Sequence, residues 1–270
     1  MAVVAMTKEM GSLGTFIALE VARRLGYEFL RNDIIKGVAR EYRVREAGLV
    51  GTLEAKPGFL ERLGDRSRRY RVYLEAAVLD AARRDRVVLM GRWSTVFLHG
   101  IGHAVRVRAC APLDVRARRV MKRLGVGHED AVRRIVAYDE GVRARMRQVF
   151  DRDWTDPLLY DLVVNTERVT LETGVRQVLD LVAAAEFQPT DESRAALEDR
   201  ALAARVRATL KASPATAGAD LDVRASAGRL RLQGIVSSEE EREAASRIAR
   251  EVAGVTDVTG ELRVFRRPVR

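Results

Sequence analysis

The chain has 270 residues, 47% of them apolar, enough to bury a sizeable core in one or two domains. It contains no run of about 18 apolar residues, so no membrane-spanning helix is expected. The single cysteine, Cys110, rules out an internal disulfide, and three scattered histidines make a poor zinc set. The opening MAVVAMTKEMG lacks the basic start and apolar run of a secretory signal, so a cytoplasmic location is expected. A net charge of +10 favours anionic partners: nucleotides, nucleic acid or acidic membrane surfaces. The alternative is a general richness in arginine, because acids and bases are interleaved along most of the chain. Aromatics make up 6% and do not interleave with arginine as in single-strand binding platforms, which argues against nucleic acid.

Residues 1–7 read as a short buried strand, VVAM, followed by the turn KEMGSLG. Residues 15–25 carry apolar Ile17, Leu19, Val21, Ala22 and Leu25 at helical spacing, and Gly26 is placed to end that helix. A second strand is expected over 27–30, with Asp33 capping a helix over 34–42. Residues 43–66, with Gly51, Pro57, Gly58 and Gly64, read as irregular. A helix over 69–83, a strand over 87–90 ending at Gly91–Arg92, and a strand over 104–110 follow. Helices are expected over 114–124 and 128–150, a strand over 162–165 and a helix over 171–185. Strands alternating with helices imply a mostly parallel α/β sheet with helices on both faces. The polar segment 186–200, which holds Pro189, reads as a linker whose second half can begin a helix. Beyond it the pattern is helix (201–212), strand (221–225), turn (226–228), strand (229–235), helix (238–252) and strand (255–264). Ser238 followed three residues on by Glu241 is a capping box.

A strand, a glycine-rich turn and a helix present backbone N–H groups and a helix N-terminus to phosphate. Laid on the motif GxxxxGK[ST], residues 8–15 put Gly11 inside the loop and Thr15 at the hydroxyl position. Leu13 and Gly14 fall where the second glycine and the lysine belong, and Lys8 stands at the first glycine. On the motif alone, a ligand-free turn is an equal reading.

The segment TKEMGSLGTFIALEVARRLGYEFLRNDII resembles the start of the cytidylate kinase-like family, a branch of the P-loop nucleoside monophosphate kinases. Members of that branch often show a GSGG-type loop without the lysine. VVLMGRW resembles the family's strand–Gly–Arg segment, RVRACAPLDVRARRVMKRLG its strand and Arg-rich lid helix, and DRDWTDPLLYDLVVNT its late WxDPxxYDLVINT-like segment. Over residues 1–186 the resemblance implies a P-loop NTPase-type parallel sheet that binds ATP, Mg²⁺ and a nucleoside monophosphate such as CMP. It implies that Gly11, Ser12, Gly14 and Thr15 hold phosphate, that the Thr15 hydroxyl binds Mg²⁺, and that Arg92 contacts the monophosphate. Asp33 would help to position the nucleotide, or is only a helix cap.

Phosphoryl transfer needs positive charge on the transferring oxygens. Lys8 and the helix arginines Arg116, Arg119 and Arg123 are the candidates to supply it, with Arg143 and Arg147, one turn apart, closing over the site. The competing reading makes each of these arginines part of a solvated face. Asp139 and Glu140 are expected to pair with neighbouring arginines along their own helix. His99 and His103 read as loop residues, and Trp154 and Tyr160 as packing anchors. Trp93 follows Arg92 where cytidylate kinases commonly have an acid, and no acid ends the strand 87–90.

The segment LDVRASAGRLRLQGIVSSEEEREAASRIAREVAGVTDVTGELRV resembles the BON domain, a small α+β (αββαβ) module expected over 201–267 after a linker at 187–200. Gly234 is expected to let the following helix approach closely. The resemblance implies a membrane surface or protein partner. Two functions therefore stand side by side: a phosphotransferase, and a nucleotide sensor without turnover whose BON domain conveys its state. Nucleic-acid binding is a weaker third.

Overall fold

The computed structural model describes residues 1–31, 33–54, 59–91 and 93–265, with the side chains of 51–54 and 59–68 left undescribed. Five parallel strands form the larger sheet: β1 (Val3–Lys8), β2 (Glu28–Leu30), β3 (Val87–Met90), β4 (Ala104–Cys110) and β5 (Leu162–Asn165), in the order β2-β3-β1-β4-β5. Central β1 is apolar on both faces because both faces are covered. Val4 and Met6, with Val88 and Val105, meet helices α1 (Gly14–Leu25) and α8 (Leu171–Ala183) through Ile17, Val21, Val175 and Val178. Val3 and Ala5, with Val87 and Leu89, face α2 (Asp33–Glu41), α3 (Glu46–Glu54), α4 (Phe59–Arg83), α5 (Ser94–Phe97) and α7 (His128–Phe150). Helix α6 (Leu113–Leu124) pairs with α7 through Ala117, Val120, Ala131 and Ile135. The expected parallel α/β sheet with helices on both faces is what forms.

Gly26 ends α1 as expected, with φ 64° and its N–H on the carbonyls of Ala22 and Arg23. Residues 43–66, expected to be irregular, instead contribute α3 and the start of α4. The glycines there outweighed a helical pattern in the sequence reading. Asp33 is the first residue of α2, exposed, rather than its cap.

The C-terminal sheet has β6 (Asp220–Ser226), β7 (Arg229–Val236) and β8 (Asp257–Val264), with α10 (Glu239–Glu251) between the last two. β6 and β7 are antiparallel, joined at Ala227 and Gly228, both at positive φ as a tight hairpin turn requires. β7 and β8 are parallel, as a connecting helix allows. Ser238 caps α10, its Oγ accepting from the Glu241 N–H at 3.2 Å, while the Glu241 carboxylate bonds Ser237. Gly234, at φ +149°, is needed for a different reason from the one expected. A Cβ there would lie 2.6 Å from the Asp220 carbonyl oxygen, so the close neighbour is strand β6, not the helix.

Where a linker is expected, α9 (Asp191–Ala212) runs without a break. Thr190 is its N-cap, and Ser193 completes a capping box. Leu197, Ala201, Ala204 and Ala208 form one stripe in the larger core, against α4. Leu202, Ala203, Val206 and Leu210 form a second stripe in the core of the smaller sheet. A helix with two buried faces belongs to both cores.

His103 lies in the turn before β4, a loop residue as expected, yet its ring is fully buried and pins the start of α9, with Nδ1 2.8 Å from Ser193 Oγ. Burial holds the imidazole below its ordinary value of 6.5, with Asp85 opposing and Arg194 assisting. The folded state therefore favours the neutral ring. Its contribution is complete above about pH 6.5 and is lost as pH falls through the depressed folded value. Thermal melts at pH 7, 6 and 5 are expected to fall more steeply for the wild type than for His103→Asn; parallel curves would contradict this.

Candidate phosphate and nucleotide site

The crevice lies where β1 and β3 end and the strand order turns back, the usual ligand position in such sheets. After β1 the chain bends through residues 9–13 into α1. Gly11 has φ +83°, and a Cβ there would lie 2.9 Å from the Arg116 carbonyl oxygen. Leu13 adopts the left-handed conformation (φ 62°, ψ 1°) that glycine takes more readily. At Gly14 a Cβ would meet Lys8 Cβ at 2.7 Å and Ala109 Cβ at 2.8 Å. No side chain, a lysine included, fits at position 14 without moving β1 or β4.

Ser12 is turned inward: its Oγ donates to the Glu9 carbonyl at 2.9 Å, and its own carbonyl accepts from Thr166 Oγ1 at 3.0 Å. The N–H of Glu9 bonds Ala109 and that of Ser12 bonds Glu9. Among the described residues, the amides of Met10, Gly11, Leu13, Gly14 and Thr15 donate to no protein group, nor does the Thr15 hydroxyl. Five unpaired amides at the start of a helix form a cradle for an anion.

Behind the loop is a buried ionic cluster. Glu9 meets Arg108 at 2.6 Å and Arg116 at 3.3 Å, and Arg116 meets Asp139 at 2.8 Å. Arg116 also donates to the Ala111 carbonyl. Burial pushes the Asp139 carboxyl up against the pull of Arg116. Asp139 thus pairs across helices, not with an arginine of its own helix as expected. Arg119 donates to the carbonyl and hydroxyl of Thr166, at 2.7 and 2.9 Å, and to the Gly11 carbonyl at 3.3 Å. Arg116 and Arg119 therefore brace the loop from behind. Trp154 and Tyr160 are packing anchors as expected: Arg108 lies over the Trp154 ring at 5.1 Å, and Tyr160 donates to the Trp154 carbonyl at 2.6 Å.

Beside the loop opens a cavity of about 290 Å³. Its floor is apolar, with Leu74, Val78, Trp93 and Phe97, and among the described residues its cations are Lys8, Arg31 and Arg123. Lys8 Nζ lies 5.6 Å from the Tyr138 ring centroid. Arg123 is exposed and makes no hydrogen bond or ion pair among the described residues. Asp33, Arg143 and Arg147 do not line this cavity; Arg147 instead pairs with Asp153 at 3.5 Å. Arg92 lies outside the described residues. The sequence reading missed Arg31 and Tyr138; the only local signal for Arg31 was its place directly after strand β2.

Gly11→Ala is expected to cost about 1–3 kcal/mol, since it combines a disfavoured φ with a backbone clash. Chemical denaturation measures this; an unchanged midpoint would contradict the loop geometry.

The model of the cytidylate kinase-like family matches residues 3–168, and that of the BON domain matches residues 198–265. A cytidylate kinase of Ignicoccus hospitalis is 28% identical over 182 residues, 66% of this chain and 97% of that protein. One from Pyrobaculum aerophilum is 27% identical over 180 residues, 67% of this chain and 92% of that protein. A crystal structure of an uncharacterized protein from Eubacterium ventriosum shares the fold, with a TM-score of 0.55 at 16% identity, covering 68% of this chain and 99% of that one. With more than half of its residues matched over the sheet, the loop and the cavity, the chain belongs to the cytidylate kinase-like family and carries a BON domain after it.

Proposed function

We propose that this chain binds ATP with Mg²⁺ and moves a phosphoryl group to a nucleoside monophosphate held in the cavity, within a kinase unit spanning residues 1–186. The observation that carries this reading is the set of unpaired amides of Met10, Gly11, Leu13, Gly14 and Thr15, opening beside a cavity that holds Lys8, Arg31 and Arg123. In this reading the amides hold the donor phosphates, and Lys8 and Arg123 neutralise charge between donor and acceptor. Arg116 and Arg119 keep the loop in shape.

The Thr15 hydroxyl suits Mg²⁺, which needs only one or two protein oxygens beside phosphates and water. Among the described residues no cluster of three His, Cys, Asp or Glu side chains offers a fuller set. Bound there, the ion would neutralise phosphate oxygens. Among the described residues no helix is long and apolar enough to cross a membrane. The proposed setting is the cytoplasm, with the BON domain, proposed over 201–267, engaging a membrane surface or protein partner.

In this reading Arg92 contacts the acceptor phosphate, a role supported by the likeness of VVLMGRW to the family's strand–Gly–Arg segment. Arg92→Ala is expected to weaken CMP binding by about 1.5–3 kcal/mol while leaving ATP affinity nearly unchanged. Calorimetry with each nucleotide checks this, and unchanged CMP affinity would remove Arg92 from the site. A second reading, a nucleotide sensor without turnover, is favoured by two features: Gly14 excludes a lysine, and two of the helix arginines are committed to the loop's support. A coupled turnover assay with ATP, CMP and Mg²⁺ separates the two readings.

A further inference from the structure

Helix α9 touches the cavity wall as well as both cores. Arg200, on α9, forks onto the last carbonyl of the short helix α5 and one in the turn just beyond it: Nη2 donates to Phe97 at 2.8 Å and Nη1 to His99 at 2.5 Å. Carbonyls at a helix C-terminus lack intrahelical partners, and a guanidinium satisfies two at once. The helix so capped carries Ser94 and Phe97, which line the cavity, and directly follows Trp93, which also lines it. The Trp93, Phe97 and Phe150 rings stack edge to face, so the position of α5 sets the position of the wall. Burial disfavours the charged Arg200, so the fork offsets a real desolvation cost.

The same helix is tied to α4, which supplies Leu74 and Val78 to the cavity. Arg207 meets Glu75 of α4 at 3.1 Å and donates to the Val223 carbonyl of β6 at 3.0 Å, joining both units through one guanidinium. Arg83 meets Glu198 at 2.6 Å. On the other side, Asp199 accepts from the Ala227 N–H of the β6–β7 turn at 2.8 Å.

We propose that α9 couples the cavity to the BON domain, with Arg200 as the positioning residue that holds the cavity wall. Because α9 supplies core side chains to both units, neither can loosen without weakening the other. Any ligand that rigidifies the cavity then rigidifies the BON sheet, and a BON partner that orders or shifts α9 changes the cavity in return. The coupling itself follows from the packing; only the identity of the cavity ligand rests on the nucleotide reading.

Hydrogen exchange on the full chain tests this without ligand. Leu232→Ala opens the smaller core, since Leu232 is fully buried in it and does not line the cavity. It is expected to speed exchange over residues 70–83 and 93–101 by about 10-fold or more, while α8 on the opposite sheet face changes little. Acceleration confined to 201–264 would overturn the coupling. Should this variant not fold, native-state exchange of the wild type in graded urea decides: one shared opening for β7 and α4 supports the proposal, and two separate openings overturn it. Arg200→Ala is expected to speed exchange at 93–101, with Arg200→Lys intermediate; no change there removes Arg200 from this role. A final arm adds CMP and ATP. Bound nucleotide is expected to slow exchange in 201–264, and binding without such protection overturns the functional link. Absence of any binding counts against the nucleotide reading alone, and the ligand-free arms still decide the coupling.

Discussion

A chain cut back to residues 1–187 is expected not to fold stably. The cut removes α9, and with it Leu197, Ala201, Ala204 and Ala208 from the larger core. It also uncovers the side of α4 that packs on α9, the side that carries Glu75 and Arg83. Losing one buried leucine side chain costs about 2–4 kcal/mol, and a domain's whole stability is about 5–15 kcal/mol. Removing a full helix face takes most of that margin. The ties of Arg83, His103 and Asp85 to α9 disappear as well. The measurement is a thermal melt followed by circular dichroism. A sharp transition at the full-length midpoint would show that α9 is dispensable and would contradict the shared-core description.

The second large effect belongs to the phosphotransferase reading and concerns charge beside the phosphate loop. A double variant, Lys8→Met with Arg123→Met, is expected to lower kcat by about 10³-fold or more, because a cation delivered to a transferring phosphate is worth roughly 10³–10⁵ in rate. Both side chains line the cavity, and neither is part of the buried cluster behind the loop. The melting temperature should therefore hardly move. Arg116 and Arg119 should behave in the opposite way. Their loss should appear as lower stability and a looser loop, because Arg116 is buried against Glu9 and Asp139 and Arg119 holds Thr166 and Gly11. Steady-state kinetics beside melting curves separates the two classes. Turnover that survives loss of both Lys8 and Arg123 would refute their assignment.

The strands were legible because two-sided burial writes runs such as VVAM and VVLM into the chain, and the turn with Gly11 and Gly14 marks the loop directly. Helix α9 was not. Pro189 and the polar TDESR drew attention to composition, although Thr190 as a cap followed by Asp191 and Glu192 is how a helix starts. Its two stripes rely on alanine, which is at home in cores and on surfaces alike, so neither face stands out as apolar. The helix arginines showed their spacing but not their partners. Glu9 and Asp139 lie far from Arg116 in sequence, and a buried ion pair of that kind leaves no local pattern. Arg31 and Tyr138 reach the cavity only through the path of the chain.

The central claim is that residues 8–15 cradle nucleotide phosphate beside a monophosphate cavity. Isothermal titration calorimetry of the full chain tests it most directly, with ATP and Mg²⁺ in one titration and CMP in another. Saturable binding of one ATP and one CMP per chain is the predicted result, with ATP affinity reduced in Gly11→Ala. No binding of either nucleotide at millimolar concentration by a folded chain would contradict it.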